Sequence, residues 1–487
     1  MHHLGKLIGR RPRTGRARGW SAALGSLALV GLALVAVPQS AAATTSLPCD
    51  LYGSASTPCV AAYSSVRALY AGYGGSLYRV TRASDGHTLD IGVLSAGGYA
   101  NAAAQDTFCA GTTCTITVVY DQSPRHNDLT IEGPGLQGGQ DVGAIADQLP
   151  VTVNGHEAYG ILMQPGVGYR HTSGAGVATG SQPESMYLVG SGTNTNDKCC
   201  SDFGNAEVQE ADTGAGHMDA LNISVRNATG SYGNGPWIAA DLENGLYKGA
   251  TLTDNSNHGN SSDFVTAVLK NNGTTSFALK GGDSQSGALT TWYDGPLPAG
   301  GYAPMHLEGS IVLGTGGDNS NRGTGSFFEG AMTAGYAPDA TDAAVQANIV
   351  ATNYVGYSRG GVQLVGKGGL CVDPSGNDTG ANGEQAQLNT CDSSALDQKW
   401  VLNPDDTLTT VGACLDIMGN STVKGTKVQL WTCDSAGGQV WVPQSNGSLL
   451  NPQSGLCLDD PGGSVTPGTQ LQIYSCNGLP AQQFPIH

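Results

Sequence analysis

A threefold internal repeat near the C-terminal end constrains this chain more than any other feature. Cys371, Cys414 and Cys457 stand about 43 residues apart, and each opens the same phrase: Cys371-Val372-Asp373, Cys414-Leu415-Asp416, Cys457-Leu458-Asp459. A Gln-Leu or Gln-Ile run follows each, ending in a second cysteine at Cys391, Cys433 or Cys476. Each copy closes on Gln-x-aromatic: Gln398-Lys399-Trp400, Gln439-Val440-Trp441 and Gln482-Gln483-Phe484. A fixed period of this size marks a repeated structural unit that cannot bury its apolar face alone. Three such lobes predict a pseudo-symmetric β-fold whose closing aromatics meet in one core. A cysteine pair staples each lobe, Cys371–Cys391, Cys414–Cys433 and Cys457–Cys476, because units this small bury little surface by themselves.

The opposite end carries a different signal. Lys6, Arg10, Arg11, Arg13, Arg16 and Arg18 form a basic leader, an apolar run covers Ala22 to Val37, and small residues end it at Ala41, Ala42 and Ala43. This is the pattern of a secretory signal over residues 1–43; the apolar run is short for a membrane span. Export predicts that the 12 cysteines form disulfides and bind no metal. The whole chain has a formal net charge of −17, and losing the leader makes the mature protein more acidic still. Such a surface repels nucleic acid and anionic membrane and suits a neutral polymer such as a polysaccharide.

Between residues 44 and 357 the sequence reads as one large domain. Short β-like runs recur at Thr115 to Tyr120, Leu221 to Val225, Phe264 to Leu269 and Ser310 to Leu313, separated by Gly, Asn, Ser and Asp. Helical periodicity is expected near Val60 to Tyr70 and Asp342 to Tyr354. The pattern predicts an all-β protein: a β-sandwich (44–357), a short linker (358–361) and the three-lobed domain (362–487). Gly356-Tyr357-Ser358-Arg359-Gly360 matches the spacing of a nucleophile elbow, but a glycine-rich joint follows where that motif needs a helix.

Three places carry chemistry. Trp237-Ile238-Ala239-Ala240-Asp241-Leu242-Glu243 reads as a strand. Alternation puts Ile238, Ala240 and Leu242 on a core face, and Trp237, Ala239, Asp241 and Glu243 on the other. That second face is either the wall of a sugar cleft or a solvated sheet surface. Gly314 to Asn321 puts Asp318 on a tight turn after a strand, open to three readings: a ligand loop, a calcium loop, which Arg322 argues against, or a plain Asx turn. The third place is Cys199-Cys200. With six cysteines assigned to the repeat, and Cys49–Cys59 and Cys109–Cys114 closing two short loops, these two remain for each other.

The repeat resembles the ricin-type β-trefoil, also known as the family 13 carbohydrate-binding module. The blocks Ala104-Gln105-Asp106-Thr107-Phe108-Cys109, Tyr120-Asp121-Gln122-Ser123, Cys199-Cys200, Gly204-Asn205-Ala206-Glu207, Asp212 to Met218, Gly235-Pro236-Trp237-Ile238 and Gly316 to Asn321 are similar to the catalytic domain of glycoside hydrolase family 54. Members of that family are retaining α-L-arabinofuranosidases. The resemblance implies Glu243 as nucleophile and Asp318 as general acid/base. It also implies Asp241, Asn244 and Gly317 as arabinose contacts with Gly245 beside them, and a vicinal Cys199–Cys200 disulfide packed against the sugar. No metal or organic cofactor is called for. The implied partner is plant cell-wall polysaccharide such as arabinoxylan or arabinan, met by a secreted monomer. The alternatives are a glycosidase acting on xylosides and a non-catalytic lectin or adhesin.

By resemblance to ricin-like modules, sugar would be held by Asp373 and Gln387 in the first lobe, Asp416, Gln429 and Trp431 in the second, and Asp459, Gln472 and Tyr474 in the third. Asn389 stands where the first lobe would need a stacking aromatic. The second and third lobes are therefore expected to bind best.

Overall fold

The computed structural model describes residues 46–226, 235–356 and 363–485, apart from 377–379, 393–394, 396, 403–405, 412, 435 and 445. The expected leader and linker, and the Tyr357 to Gly360 part of the elbow-like motif, lie outside the described residues.

Two antiparallel sheets face each other over a large apolar core. One has six strands in the spatial order Cys59–Ser64, Glu329–Ala334, Glu184–Gly190, Val265–Asn271, Ser276–Asp283 and Thr290–Pro296. The other has ten, and its Leu246–Tyr247, Trp237–Asp241, Asp219–Ser224, Phe203–Ala206, Ser310–Leu313 end carries the site. Period-two alternation explains the arrangement. Phe203, Leu221, Ile238, Ala240, Ile311 and Leu313 point into the core, while Ala206, Ala220 and Val312 form a small apolar patch with Met218 on the opposite face. Packing between the sheets is close: a Cβ on Gly281 of the six-stranded sheet would collide with the Ile238 side chain. The fold is all-β in character, with three α-helices among the described residues, at Pro48–Ser54, Ala102–Cys109 and Asp339–Ala351.

The helix expected near Asp342 to Tyr354 is present, one turn further toward the N-terminus. The one expected near Val60 to Tyr70 is absent. Cys59–Ser64 is instead a strand, buried at every position and paired with Glu329–Ala334. An apolar run buried on both faces loses the alternation that separates strand from helix.

The repeat folds into three small antiparallel sheets around a second core. Trp400, Trp441 and Phe484 are fully buried there, as expected. The indole N–H of Trp400 donates to Val372 O (2.9 Å) and that of Trp441 to Leu415 O (2.8 Å), so each grips the strand that opens its own lobe. All six expected disulfides are formed.

Candidate active site

The strand Trp237–Asp241 stops two residues before Glu243, earlier than the alternation suggested. Glu243 and Asn244 take left-handed backbone conformations, with φ of 66° and 58°. Such angles cost side-chain-bearing residues of order 1 kcal/mol or more and persist where the surroundings hold them. Here the Glu243 N–H donates to Asp241 Oδ1 (3.1 Å), and the Tyr302 hydroxyl, which accepts from the Tyr247 hydroxyl (3.0 Å), donates to Glu243 O (2.8 Å). The turn thus swings Glu243 off the sheet toward the loop after Ser310–Leu313.

That loop carries Asp318. Its Oδ1 accepts from the Ser320 N–H (3.0 Å), so the Asx turn is present. Asn319 pins the loop by donating to Gly133 O (2.7 Å) and Gly139 O (2.9 Å). Arg170, almost fully buried, donates from Nη1 to Glu207 O (2.7 Å), from Nη2 to Gly317 O, and from Nε to Glu132 (2.8 Å). One guanidinium therefore ties the ends of two neighbouring strands together.

The vicinal cysteines form the opposite wall. Cys200 N–H donates to Ser320 O (2.9 Å), Arg322 N–H to Cys199 O (3.1 Å), and the Cys200 sulfur lies 3.5 Å from Asp241 Oδ2. Cys199, Cys200 and Asp241 are near enough to surround an ion. The sulfurs are bonded to each other, however, and offer no thiolate, so this donor set does not suit a metal.

These pieces enclose a cavity of about 490 Å³. Cys199, Cys200, Asp241, Glu243, Asn244, Gly245, Gly317 and Asp318 all line it, so the structure brings these eight anticipated residues to one place. Trp237 is the exception. Its ring is 2% exposed and packs under Lys248, whose Nζ lies 4.8 Å from the ring centre, and it does not line the cavity. Alternation correctly put it on the outer face, but Lys248 and the chain at Gly235 cover that face. Lys248, Met218, Arg226, Leu252, Asp212 and Ser320 line the cavity without having been anticipated.

Carboxyl groups crowd the floor. Burial, and then the neighbouring Asp241, hold the Asp202 carboxyl well above its usual range, although Asn222 donates to it (2.6 Å). Burial and then Glu207 push Asp241 up to about 7. Glu243 is pushed up to about 11, first by burial, then by the facing Glu207, with Asp241 and Asp212 adding to it. Low-dielectric surroundings make adjacent like charges costly, so protons stay in the cluster. Glu207 was visible only as part of a matching block. Its position just past the strand Phe203–Ala206, which pairs antiparallel with Ser310–Leu313, under the loop at Gly317 was the missing signal.

In the trefoil, the repeated Asp is a structural acceptor. Asp373 accepts from Gln398 (2.8 Å), and more distantly from Gln387 and Asn389 (3.3 Å each). Asp416 accepts from Gln429 (2.9 Å), and Asp459 from Gln472 (2.8 Å) and Gln482 (2.9 Å). Trp431 and Tyr474 project outward, 38% and 36% exposed. Lys424 Nζ stands 4.2 Å from the Tyr474 ring centre, which leaves the two lobes unequal.

The family model for the catalytic region of alpha-L-arabinofuranosidase B matches residues 48–355, and that for the ricin-type beta-trefoil lectin domain matches residues 360–484. Alpha-L-arabinofuranosidase B of Emericella nidulans is 54% identical over 316 residues, 63% of this chain and 62% of that protein. The protein of the same name from Aspergillus oryzae is 52% identical over 333 residues, 67% of this chain and 65% of the relative. The chain thus spans a little under two thirds of the length of these relatives. Among solved structures, an arabinofuranosidase complexed with arabinofuranosyl-alpha-1,2-xylobiose is similar at a TM-score of 0.66 and 36% identity, over 90% of this chain and 98% of that one. A GH54 α-L-arabinofuranosidase soaked with a cyclic sulfate inhibitor is similar at 0.65 and 37%, over 90% and 96%.

Proposed function

The chain belongs to the α-L-arabinofuranosidase B catalytic family, and from that premise we propose that it is a secreted, retaining α-L-arabinofuranosidase that removes terminal arabinofuranosyl groups from arabinoxylan, arabinan or related hemicellulose. One observation carries this reading: Glu243 and Asp318, from different strand ends, line the same cavity beside the Cys199–Cys200 pair.

In the first step Glu243 attacks the anomeric carbon while Asp318 gives its proton to the departing oxygen, leaving arabinose esterified to Glu243. In the second, Asp318 takes a proton from water, which releases the sugar with its configuration retained. Such a pair works at a separation of roughly 5 Å, too short for an intervening water nucleophile. Asp241 and Asn244 are suited to hydrogen-bonding the sugar hydroxyls, and the disulfide offers an apolar face to the ring. The trefoil, through Trp431 and Tyr474, would hold the enzyme on polysaccharide, and the relative seen with arabinofuranosyl-α-1,2-xylobiose makes arabinoxylan the first polymer to test. Export is supported by six disulfides, and the protein is proposed to act as a monomer.

The test is Glu243→Ala assayed on 4-nitrophenyl α-L-arabinofuranoside and on arabinoxylan. Turnover should vanish on both, and azide should restore cleavage of the aryl substrate with an inverted product. Asp318→Ala should impair arabinoxylan far more than the activated aryl glycoside, which needs little protonation. Near-normal activity of Glu243→Ala would end the assignment.

A further inference from the structure

A third carboxyl stands behind the two catalytic ones. Glu207 is fully buried and does not line the cavity; its Oε2 lies against the backbone of Gly317, in the space a side chain there would fill. Its carboxyl faces that of Glu243 within hydrogen-bonding reach. Among the described residues, no donor on another residue, a protonated Glu243 excepted, reaches either Glu207 oxygen. Arg170 is close, but its three nitrogens donate to the carbonyls of Glu207 and Gly317 and to Glu132, and none donates to the Glu207 carboxyl. The charged groups acting most on the pair are Asp318 and Arg170 on the Glu207 side, and Asp241 and Asp212 on the Glu243 side, with Lys248 and Arg226 lining the same cavity.

Two buried carboxyls facing each other in a site with further acids hold a proton between them. A nucleophile cannot attack while it carries that proton. We propose that Glu207 is a positioning residue that takes the shared proton from Glu243 as the nucleophile attacks, and then donates it as a hydrogen bond to the Glu243 carboxylate. The proposal rests on reading Glu243 as the nucleophile. The transfer is balanced. One proton moves from a Glu243 oxygen to a Glu207 oxygen, the pair keeps a single negative charge, and Asp318 separately supplies the proton for the leaving group. Positive charge developing at the anomeric carbon favours the ionised form of Glu243, which drives the proton one hydrogen bond away. Burial raises both carboxyls above their usual range, consistent with a proton retained at neutral pH.

The pH dependence of kcat/KM on 4-nitrophenyl α-L-arabinofuranoside tests this in the full chain. Glu207→Gln supplies a permanent donor in place of the protonated acid. It should keep kcat/KM within about threefold on the acid limb, and that limb should stay in place or move to higher pH. Glu207→Met fills similar space without a donor and should lose about tenfold or more there, the equivalent of one pH unit on Glu243. If Gln falls as far as Met, a donor is not what Glu207 provides. An acid limb displaced to lower pH in Glu207→Gln would show that Glu207 has to be charged, and would overturn the proposal. Should the Met variant not fold, the Gln profile alone decides between these outcomes. Activity surviving in Glu243→Ala would instead sink the underlying assignment, independently of any Glu207 result.

Discussion

Replacing Gly317 by Ala probes the joint between the two catalytic loops with a single methyl group. A Cβ at this position would fall on Glu207 Oε2 and sit 2.5 Å from Glu207 Cδ. Carbon contacts are comfortable at ~3.5–4 Å, so relieving the contact with Cδ alone takes about 1 Å of separation, and the closer contact with Oε2 takes more. Little can give way. Glu207 is fully buried, and Arg170 holds the carbonyls of both residues. The displacement therefore passes to Asp318, next in the chain, or to Glu243, which faces Glu207. A misplacement of about 1 Å in catalytic geometry costs roughly 10²-fold in rate, about 2.7 kcal/mol of barrier. Overpacking costs about 1–3 kcal/mol of stability as well, so the variant should still be folded at room temperature. The assay is kcat/KM on 4-nitrophenyl α-L-arabinofuranoside, alongside a thermal melt followed by circular dichroism. A variant within twofold of the parent rate would refute the argument that this contact sets the spacing of the acids.

Two further outcomes follow from the structure. The Glu184 and Asp219 carboxyls are buried together between the sheets, and burial raises both, Asp219 to about 7; burial likewise lifts Glu132 to about 8. Because the folded state holds these protons more tightly than the unfolded chain, their contribution is complete below about pH 4 and is lost as pH rises through 7 to 8. The melting temperature should be higher at pH 5 than at pH 8, and Asp219→Asn should flatten that slope; an unchanged slope would count against the argument. In the trefoil, Trp431→Ala should weaken retention on insoluble xylan more than Tyr474→Ala, because Lys424 already occupies a face of the tyrosine ring. Activity on the small aryl substrate should be unaffected by either, and equal retention by all three proteins would remove the trefoil as an anchor.

What the sequence determined by itself was whatever depends on local pattern and counting. The 43-residue spacing and the closing aromatics specified three lobes and their shared core, since only a repeated unit explains them. Even cysteine numbers assigned all six disulfides, because the pairs in the repeat recur at separations of 20, 19 and 19 residues and the loops at Cys49–Cys59 and Cys109–Cys114 are short. Alternation along Trp237 to Asp241 separated core from outer face correctly but did not foresee the turn that takes Glu243 off the sheet, and the family blocks picked out Glu243, Asp318 and the cysteine pair as a set.

Tertiary structure decided everything that depends on one strand end meeting another. No pattern in the chain says that Glu207 faces Glu243, or that Arg170 ties its carbonyl to that of Gly317, because those residues are distant in sequence and meet only through sheet pairing. The strand at Cys59–Ser64 was misread as helix for a related reason: once both faces are buried, the polar positions that reveal a period are gone. Trp237 shows the same limit from the other side. Its face was predictable, but the Lys248 amine over its ring, which separates a wall of the cavity from a covered neighbour, comes from a turn that only the fold brings back. Side-chain direction is a local property set by backbone geometry, whereas what a side chain meets is set by the rest of the molecule.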